Sequence, residues 1–242
     1  MSIEEKFNII YKGKERFYKY SLTDNRRKDM ENTRPEEAFI DGVKYTDNSW
    51  GGLLVIAVNY IIKKNYLTKE QLLGFNVHWY NKTLFSEIQL TNFRELDNGL
   101  FINTNLGSLR SYWFLCDIIY YASIQLNDCY IIVKRFGIAE PKEVQEYVIN
   151  NNLCLYHKHL ALKFNDDKTI ERYERNIKVL DKYVSENTST TKSLFLIDNK
   201  VLLARTKSDL LKLLKKTLVS NQYSFAESIL EDYCDFAKSE LV

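Results

Sequence analysis

The stretch that most constrains the fold of this chain runs from residue 93 to 136 and combines a tight turn, a strongly apolar helix and a strand. Asn98-Gly99 lies between two apolar runs, which is a strong hairpin signal because both residue types tolerate a positive φ. From Leu109 to Ile124 few side chains are polar, so this helix is expected to be covered on nearly every side. The pattern predicts a central helix that is capped by Ser108 and follows a hairpin.

Two further segments have the same order of hairpin, short loop and Ser-capped helix. One turns at Asp41-Gly42 and leads through Ser49 into an apolar helix. The other turns at Asp198-Asn199 and leads through Ser208 into a basic helix, after which Ser224 is predicted to cap a last helix through Ala237. A hairpin followed by a helix is a common supersecondary unit, so the pattern is explained either by ancient duplication or by independent use of that unit.

The other segments are predicted to form both strands and helices. Alternating apolar residues from Leu153 to Phe164 favour a strand, and Pro141 is well placed to open a helix over 142–150. The sequence therefore predicts an α+β fold, in which β-hairpins each lead into a Ser-capped helix and pack around central helices over 50–64 and 109–124.

A linker is predicted from Ser185 to Thr191, since small polar residues cannot bury a core. The expected organisation is a main α+β domain over 1–186 and a C-terminal hairpin with two helices over 192–242. A single domain over the whole chain is the alternative, because 242 residues fit either arrangement.

Cysteine placement and the N-terminal residues predict a cytoplasmic protein. The four cysteines stand singly within apolar runs, which is typical of small buried hydrophobic residues in a reducing compartment. The first residues lack the basic start and apolar core of a secretory signal. Since no apolar run reaches the roughly 20 residues needed to cross a bilayer, no membrane association is expected.

No motif in the sequence supports an enzymatic reaction. The glycine-rich phosphate loops and the nucleophile elbow are both absent. His157 and His159 are the only histidine pair, and on a strand both would point to one face and reach one metal ion. A third ligand is missing nearby, so a partly exposed polar strand face is favoured over a metal site. We therefore expect no cofactor and no metal, and the catalytic residues of any reaction remain unknown.

Nucleic-acid binding depends on the distribution of charge, because a net charge of +2 is too small to argue for it. A helix N-terminus with nearby cations favours a phosphate, since its backbone N–H groups and the macrodipole attract anions. The helix that starts at Ser108 has this character, and the hairpin before it and the strand after it add basic residues. The predicted patch, which would contact the backbone and not the bases, consists of Arg94, Ser108, Arg110, Ser111, Lys134 and Arg135.

A second basic segment over 205–216 is followed by an acidic segment over 227–240. Opposite local charges on consecutive helices can neutralise each other. Intramolecular pairing is therefore favoured over nucleic-acid binding for this segment.

Residues 36–136 resemble a small module of bacterial restriction, nuclease and mobile-element proteins. In that pattern a hairpin precedes a Ser-Trp-x-x-Leu-Leu helix, and a Gly-aliphatic-aromatic-x-x-Thr-Asn strand precedes a Ser-initiated helix. The matching residues are Ser49, Trp50, Leu53 and Leu54, then Gly99, Leu100, Phe101, Ile102, Asn103, Thr104, Asn105 and Ser108. Gly51-Gly52 and Gly107 depart from the pattern. The resemblance implies proximity to DNA-processing or defence systems and does not identify a reaction.

These features predict a non-enzymatic accessory protein of a bacterial or phage defence or mobile-element system, which binds nucleic acid or a nucleoprotein partner. The first alternative is a protein-interaction or self-assembly module. Its interface would be the helix over 170–184, whose apolar residues follow a 3,4 spacing and can pack inside the chain or across a dimer. The second alternative is a metal-dependent nuclease that uses His157 and His159.

Overall fold

The computed structural model describes residues 1–13, 15–23, 29–125, 127, 129–135, 140–187, 191, 193–198 and 200–241. Its fold is α+β, as predicted, with helices and antiparallel sheets. The chain forms two compact units. We call residues 4–10 and 16–139 the sheet unit, and residues 1–3, 11–15 and 140–242 the helical unit.

A five-stranded antiparallel sheet of order β1-β2-β8-β3-β4 is the main sheet. A three-stranded sheet of order β5-β7-β6 lies beside the helices of the same unit. The strands are β1 (Ile9–Lys12), β2 (Glu15–Ser21), β3 (Thr33–Ile40), β4 (Val43–Thr46), β5 (Phe85–Ser86), β6 (Phe93–Glu95), β7 (Phe101–Asn103) and β8 (Tyr130–Arg135). The helices up to β8 are α1 (Ile3–Phe7), α2 (Trp50–Lys63), α3 (Lys69–Leu73) and α4 (Gly107–Tyr121).

Two of the three predicted hairpins are confirmed. β3 and β4 pair antiparallel across Asp41 and Gly42, whose φ values of 51° and 76° meet the requirement of a two-residue turn. β6 and β7 pair across a turn in which Gly99 has a φ of 77°. Local turn chemistry therefore determines both hairpins.

Helix α2 begins as the sequence predicts. The Ser49 hydroxyl accepts a hydrogen bond from the Gly52 N–H at 3.1 Å, and the Asp47 carboxylate accepts bonds from the Ser49 N–H and hydroxyl at 2.7 and 2.8 Å. A Cβ on Gly52 would lie 2.2 Å from a carboxylate oxygen of Asp47. A larger residue at position 52 would therefore displace the Asp47 carboxylate from its bonds to Ser49.

Helices α2 and α4 cover one face of the main sheet. The Trp50 indole donates to the Thr33 carbonyl at 3.0 Å, and the Tyr112 hydroxyl donates to the Ser21 carbonyl at 2.9 Å. Both bonds fix a helix to a strand by a buried or half-buried ring. The apolar residues between the layers form the core of the unit, and α4 is central and largely buried, as predicted.

The start of α4 differs from the prediction. The helix begins at Gly107, whose φ of 69° turns the chain into the helix at this residue. Ser108 therefore lies within the first turn, and no side chain supplies a capping hydrogen bond at the N-cap residue Leu106. The prediction that Ser108 caps this helix is wrong.

The helical unit contains four long helices and one short 3-10 helix within its described residues. Burial at every fourth position, Val144, Val148, Asn152, Tyr156 and Leu160, marks one continuous helix. The predicted strand from Leu153 to Phe164 is therefore wrong, because Tyr156 and Leu160 continue a buried stripe that begins at Val144. The elements are α5 (Lys142–Lys163), α6 (Asp167–Asn187), the 3-10 helix (Leu194–Leu196), α7 (Lys200–Thr217) and α8 (Ser220–Glu240).

The third predicted hairpin is also wrong. Its first strand is the 3-10 helix, and its second strand forms the first turns of α7. Ser208 lies in the middle of α7, and Ser224 lies inside α8, where its hydroxyl donates to the Ser220 carbonyl at 3.1 Å. The unit of a hairpin followed by a helix therefore occurs twice among the described residues, and of these two helices only α2 has a serine cap, Ser49. Asn199 of the expected turn lies outside the described residues.

The apolar seam of α6 packs inside the chain. Ile170, Ile177, Leu180 and Val184 are all buried in the core of the helical unit, with α8 as a neighbour. The first residues of the predicted linker, 185–187, belong to α6, and residues 188–190 lie outside the described part. The expected boundary between 186 and 192 thus falls within the helical unit.

Among the described residues, no helix is long and apolar enough to cross a membrane. The four cysteines are free. Cys116, Cys129 and Cys234 are buried, as expected of small apolar residues, whereas Cys154 is exposed on α5.

Candidate nucleic-acid interface

The N-terminus of α4 opens into a shallow groove of about 470 Å³, which we call the α4 groove. Because no side chain caps the helix, its first backbone N–H groups have no side-chain acceptor at this end. Arg110 is exposed on the first turn and is the cation of the groove. The lining residues are Glu31, Asn32, Leu106, Gly107, Ser108, Leu109, Arg110 and Trp113.

Aromatic side chains surround Arg110. Its guanidinium carbon lies 5.9 Å from the centroid of the Tyr80 ring, within the range of a cation–π contact. The Tyr80 hydroxyl accepts a hydrogen bond from the Asn103 amide at 2.9 Å, which holds the ring against β7. Trp79 and Trp113 meet edge to face at 5.7 Å. The groove and its margin therefore combine a positive charge, a helix start without a side-chain cap and flat aromatic rings.

Sequence reasoning missed Trp79 and Tyr80, because the segment over 75–89 lacks the periodicity of a helix or a strand. The structure fixes this segment by side-chain contacts to α4, including a 2.7 Å hydrogen bond from the Trp79 indole to Asp117. The high aromatic content was the available signal. Its connection to α4 depends on residues 38 positions apart.

Three of the six predicted patch residues are buried. Ser111 has no exposed surface, Lys134 is 3% exposed and Arg135 is 7% exposed. The Arg135 guanidinium donates to Asp29 at 2.6 Å and to the Tyr20 hydroxyl, and it stacks over Tyr18. These side chains therefore serve the interior of the sheet unit, and a phosphate on the surface has no access to them.

Of the remaining three, Ser108 and Arg110 line one groove. Arg94 is exposed on β6, opposite Ile102 of β7. Within the described part of the chain, no hydrogen bond or ring contact joins Arg94 to the α4 groove. Ser108 and Arg110 lie together because they are neighbours on one helix turn, which the sequence alone predicts. The position of Arg94 relative to them depends on how the three-stranded sheet packs.

The predicted histidine pair is separated by the geometry of α5. Residues two positions apart on a helix are rotated by about 200° around its axis, so the two imidazoles point to different sides of α5. His157 Nδ1 lies 2.7 Å from Glu174, and His159 Nε2 lies 3.7 Å from Asp232. No cluster of three His, Cys, Asp or Glu side chains suited to a metal occurs among the residues described. The expected placement of both rings on one strand face is therefore wrong.

Asp232 is the centre of an ionisable cluster in the helical unit. It is 8% exposed and accepts hydrogen bonds from the Tyr156 hydroxyl at 2.9 Å and from the Lys163 ammonium. Burial, together with the charge of Asp232, raises the pKa of Tyr156. The hydrogen bond to Asp232 raises the pKa of Lys163. Both groups keep their protons at neutral pH and bond to Asp232, so this cluster holds α5 to α8.

The basic segment over 205–216 makes a contact of the kind expected from intramolecular pairing. Lys207 lies 3.3 Å from Glu231 of α8. Lys212 lies 3.6 Å from Asp209 of its own helix. These partners reduce the positive charge that α7 presents.

The chain matches no family model, no curated protein and no solved structure.

Proposed function

We propose that this chain is a nucleic-acid-binding protein whose α4 groove contacts the sugar–phosphate backbone. The observation that carries the proposal is the position of Arg110, exposed above the Tyr80 ring on the uncapped first turn of α4. A phosphate in this groove would receive hydrogen bonds from backbone N–H groups and from a guanidinium.

The electrostatics of the groove favour an anion of moderate charge. The macrodipole places roughly half a positive charge at the N-terminus of α4, and Arg110 adds a full charge. Glu31 lines the same groove and opposes both. We therefore expect a modest affinity that depends strongly on salt, as for contacts with phosphates that release counterions.

The proposed role is that of a non-enzymatic accessory factor in a bacterial or phage defence or mobile-element system. This part of the proposal is supported by the resemblance of residues 36–136 to modules of such systems. The described residues offer no cluster suited to a metal ion, and the proposal includes binding alone.

Fluorescence anisotropy with labelled DNA and RNA, both duplex and single-stranded, tests the proposal in a salt series. Arg110→Ala should weaken binding about tenfold and reduce the slope of log affinity against log salt by about one. Lys63→Ala is the matched control, since Lys63 is an exposed lysine of α2 outside the groove. No binding of any of the four ligands at low salt would contradict the proposal.

Glu31→Gln is a complementary test, because it removes a negative charge from the groove while it keeps the size of the side chain. We expect affinity to rise about threefold to tenfold at low salt, and the gain to shrink as salt is added. An unchanged affinity would place the bound phosphate away from Glu31 and Arg110.

A further inference from the structure

The second face of the main sheet carries a row of side chains that the α4 groove does not include. Antiparallel register places Ser21, Tyr130, Phe39 and Lys44 directly opposite one another on β2, β8, β3 and β4. Side chains of opposed residues share a face of the sheet. Ala38, Ile40, Ile131 and Val133 have the opposite parity and are buried, and β3 contacts both α2 and α4. The row therefore lies on the face away from these helices.

Two rings of this row, together with the ammonium of Lys19 two residues before Ser21 on the same face of β2, form a surface that we call the ring row. Phe39 and Tyr130 are nearly parallel, with centroids 5.2 Å apart and planes 10° apart. Lys19 Nζ lies 3.9 Å from the centroid of Tyr130. Both rings are half-buried and Lys19 is exposed. An open depression of about 620 Å³ lies over these residues.

We infer that the ring row binds single-stranded nucleic acid, with bases stacked on Phe39 and Tyr130 and a phosphate on Lys19. Because the two rings stack on each other, an unpaired base would stack on an outer face of the pair, and a nearby lysine complements the charge of the backbone. The inference rests on the proposed function in taking nucleic acid as the ligand. It goes further by naming the strand state and a site separate from the α4 groove.

Replacement of the Lys19 ammonium on the Tyr130 ring by a stacked base should favour binding, because stacking is the stronger of the two contacts. At an exposed site a cation–π contact is worth about twofold to fivefold in an equilibrium constant. Stacking of a base on an aromatic side chain is worth roughly fivefold to 150-fold. Because Lys19 is exposed, its ammonium can leave the ring and reach the phosphate of the stacked nucleotide.

The charge of the ring row comes chiefly from Lys19. Lys44 is paired with Glu37 at 2.5 Å, and the same hydrogen bond raises the pKa of Lys44. A single unpaired lysine predicts a salt slope of about one for this surface. Duplex nucleic acid cannot use the rings, because its bases are stacked on one another and show only their edges in the grooves. The ring row should therefore discriminate strongly against duplexes.

The first experiment measures binding of single-stranded poly-dT and poly-U oligonucleotides, and of a duplex, to the full chain. Tyr130→Ala and Phe39→Ala should each weaken single-strand binding by roughly fivefold to 150-fold and leave duplex binding unchanged. Lys19→Ala, at an exposed position, should reduce the salt slope by about one. Tyr120→Ala and Lys63→Ala are matched controls, since Tyr120 is 75% exposed on α4 and Lys63 is exposed on α2.

The second experiment uses the unaltered protein, so it does not depend on the folding of a variant. An oligonucleotide that contains 5-iodouridine is crosslinked by light, and the modified peptide is identified by mass spectrometry. Crosslinks at Phe39 or Tyr130 support the inference. Crosslinks confined to Trp79, Tyr80 or Trp113 would overturn it, because the bases would then lie at the α4 groove.

The outcomes separate this inference from the proposed function. Duplex binding without single-strand binding would overturn the ring row and leave the proposed function intact. Single-strand binding that is unaffected by both Tyr130→Ala and Lys19→Ala would also overturn the ring row alone. The absence of binding to every ligand at low salt would overturn both. A preference for RNA or for DNA distinguishes the source of the strand, since the rings accept either.

Discussion

Replacement of Asp232 by alanine should destabilise the helical unit, because the buried hydroxyl of Tyr156 loses its hydrogen-bond acceptor. In the native chain the Asp232 carboxylate accepts the Tyr156 hydroxyl at 2.9 Å and also pairs with Lys163. Tyr156 has no exposed surface. The variant therefore leaves the Tyr156 hydroxyl buried without this acceptor.

The magnitude follows from the burial of each partner. A buried donor without an acceptor costs about 1–3 kcal/mol. Lys163 adds only about 0–1 kcal/mol, because half of its side chain is exposed and its ammonium can return to water. His159 Nε2 lies 3.7 Å away, beyond hydrogen-bond distance, and adds nothing to this sum. We expect the free energy of unfolding to fall by about 1–4 kcal/mol.

Urea unfolding followed by circular dichroism measures this loss. Asp235→Ala is the control on the same helix, since its side chain is 76% exposed in a pair with Lys238, and it should change the free energy by less than about 0.5 kcal/mol. In a Tyr156→Phe background the cost of Asp232→Ala should be about 1 kcal/mol smaller, because no hydroxyl remains to be orphaned. Equal costs in both backgrounds, or a cost no larger than that of Asp235→Ala, would refute the reasoning.

Three further predictions concern local contacts and pH. Gly52→Ala should lower the free energy of unfolding by about 1 kcal/mol, because overpacking against Asp47 outweighs the gain in helix propensity, and it should become stabilising in an Asp47→Ala background. Burial raises the pKa of the Asp181 carboxyl above 3.8, so the contribution of Asp181 to the free energy of unfolding falls as pH rises above about 4. Asp181→Asn should remove that fall when urea unfolding is measured at a series of pH values. Hydrogen bonds from Tyr60 and Tyr66 lower the pKa of Asp41 in the folded protein. Its contribution to the free energy of unfolding is therefore complete above pH 3.8 and is lost as pH falls through the lower pKa of the folded state. Asp41→Asn should make the free energy of unfolding less dependent on pH in acid, and an unchanged dependence would contradict this.

Local signals in the sequence predicted the sheet unit well. The turns at Asp41-Gly42 and Gly99 require positive φ, which few residues adopt easily. The cap at Ser49 and the capping box of Thr68 and Gln71 are formed by residues within three positions of each other. Such features depend on neighbours in the chain, so they can be read without knowledge of distant contacts.

The helical unit was harder to predict because its local patterns are ambiguous. Apolar residues at every second position of 153–164 fit a strand, whereas Tyr156 and Leu160 of the same segment belong to the stripe at every fourth position that α5 buries. Ser208 and Ser224 have the identity of caps, yet both lie inside helices. Packing among α5 to α8 decides between these possibilities, since the buried stripe is stabilised by partners far along the chain.

In the candidate binding surfaces, too, some features follow from the sequence and others only from the tertiary structure. The sequence by itself determined the α+β class, two of the three predicted hairpins, the start of α2 and the place of Arg110 beside a helix N-terminus, whereas the structure shows that Arg110 is exposed. Only the tertiary structure decided that Lys134 and Arg135 are interior residues, and that Phe39, Tyr130 and Lys19 come together. The reason is that burial and cross-strand neighbours arise from pairing of β8 with β2 and β3, whose residues stand about a hundred positions apart in the chain.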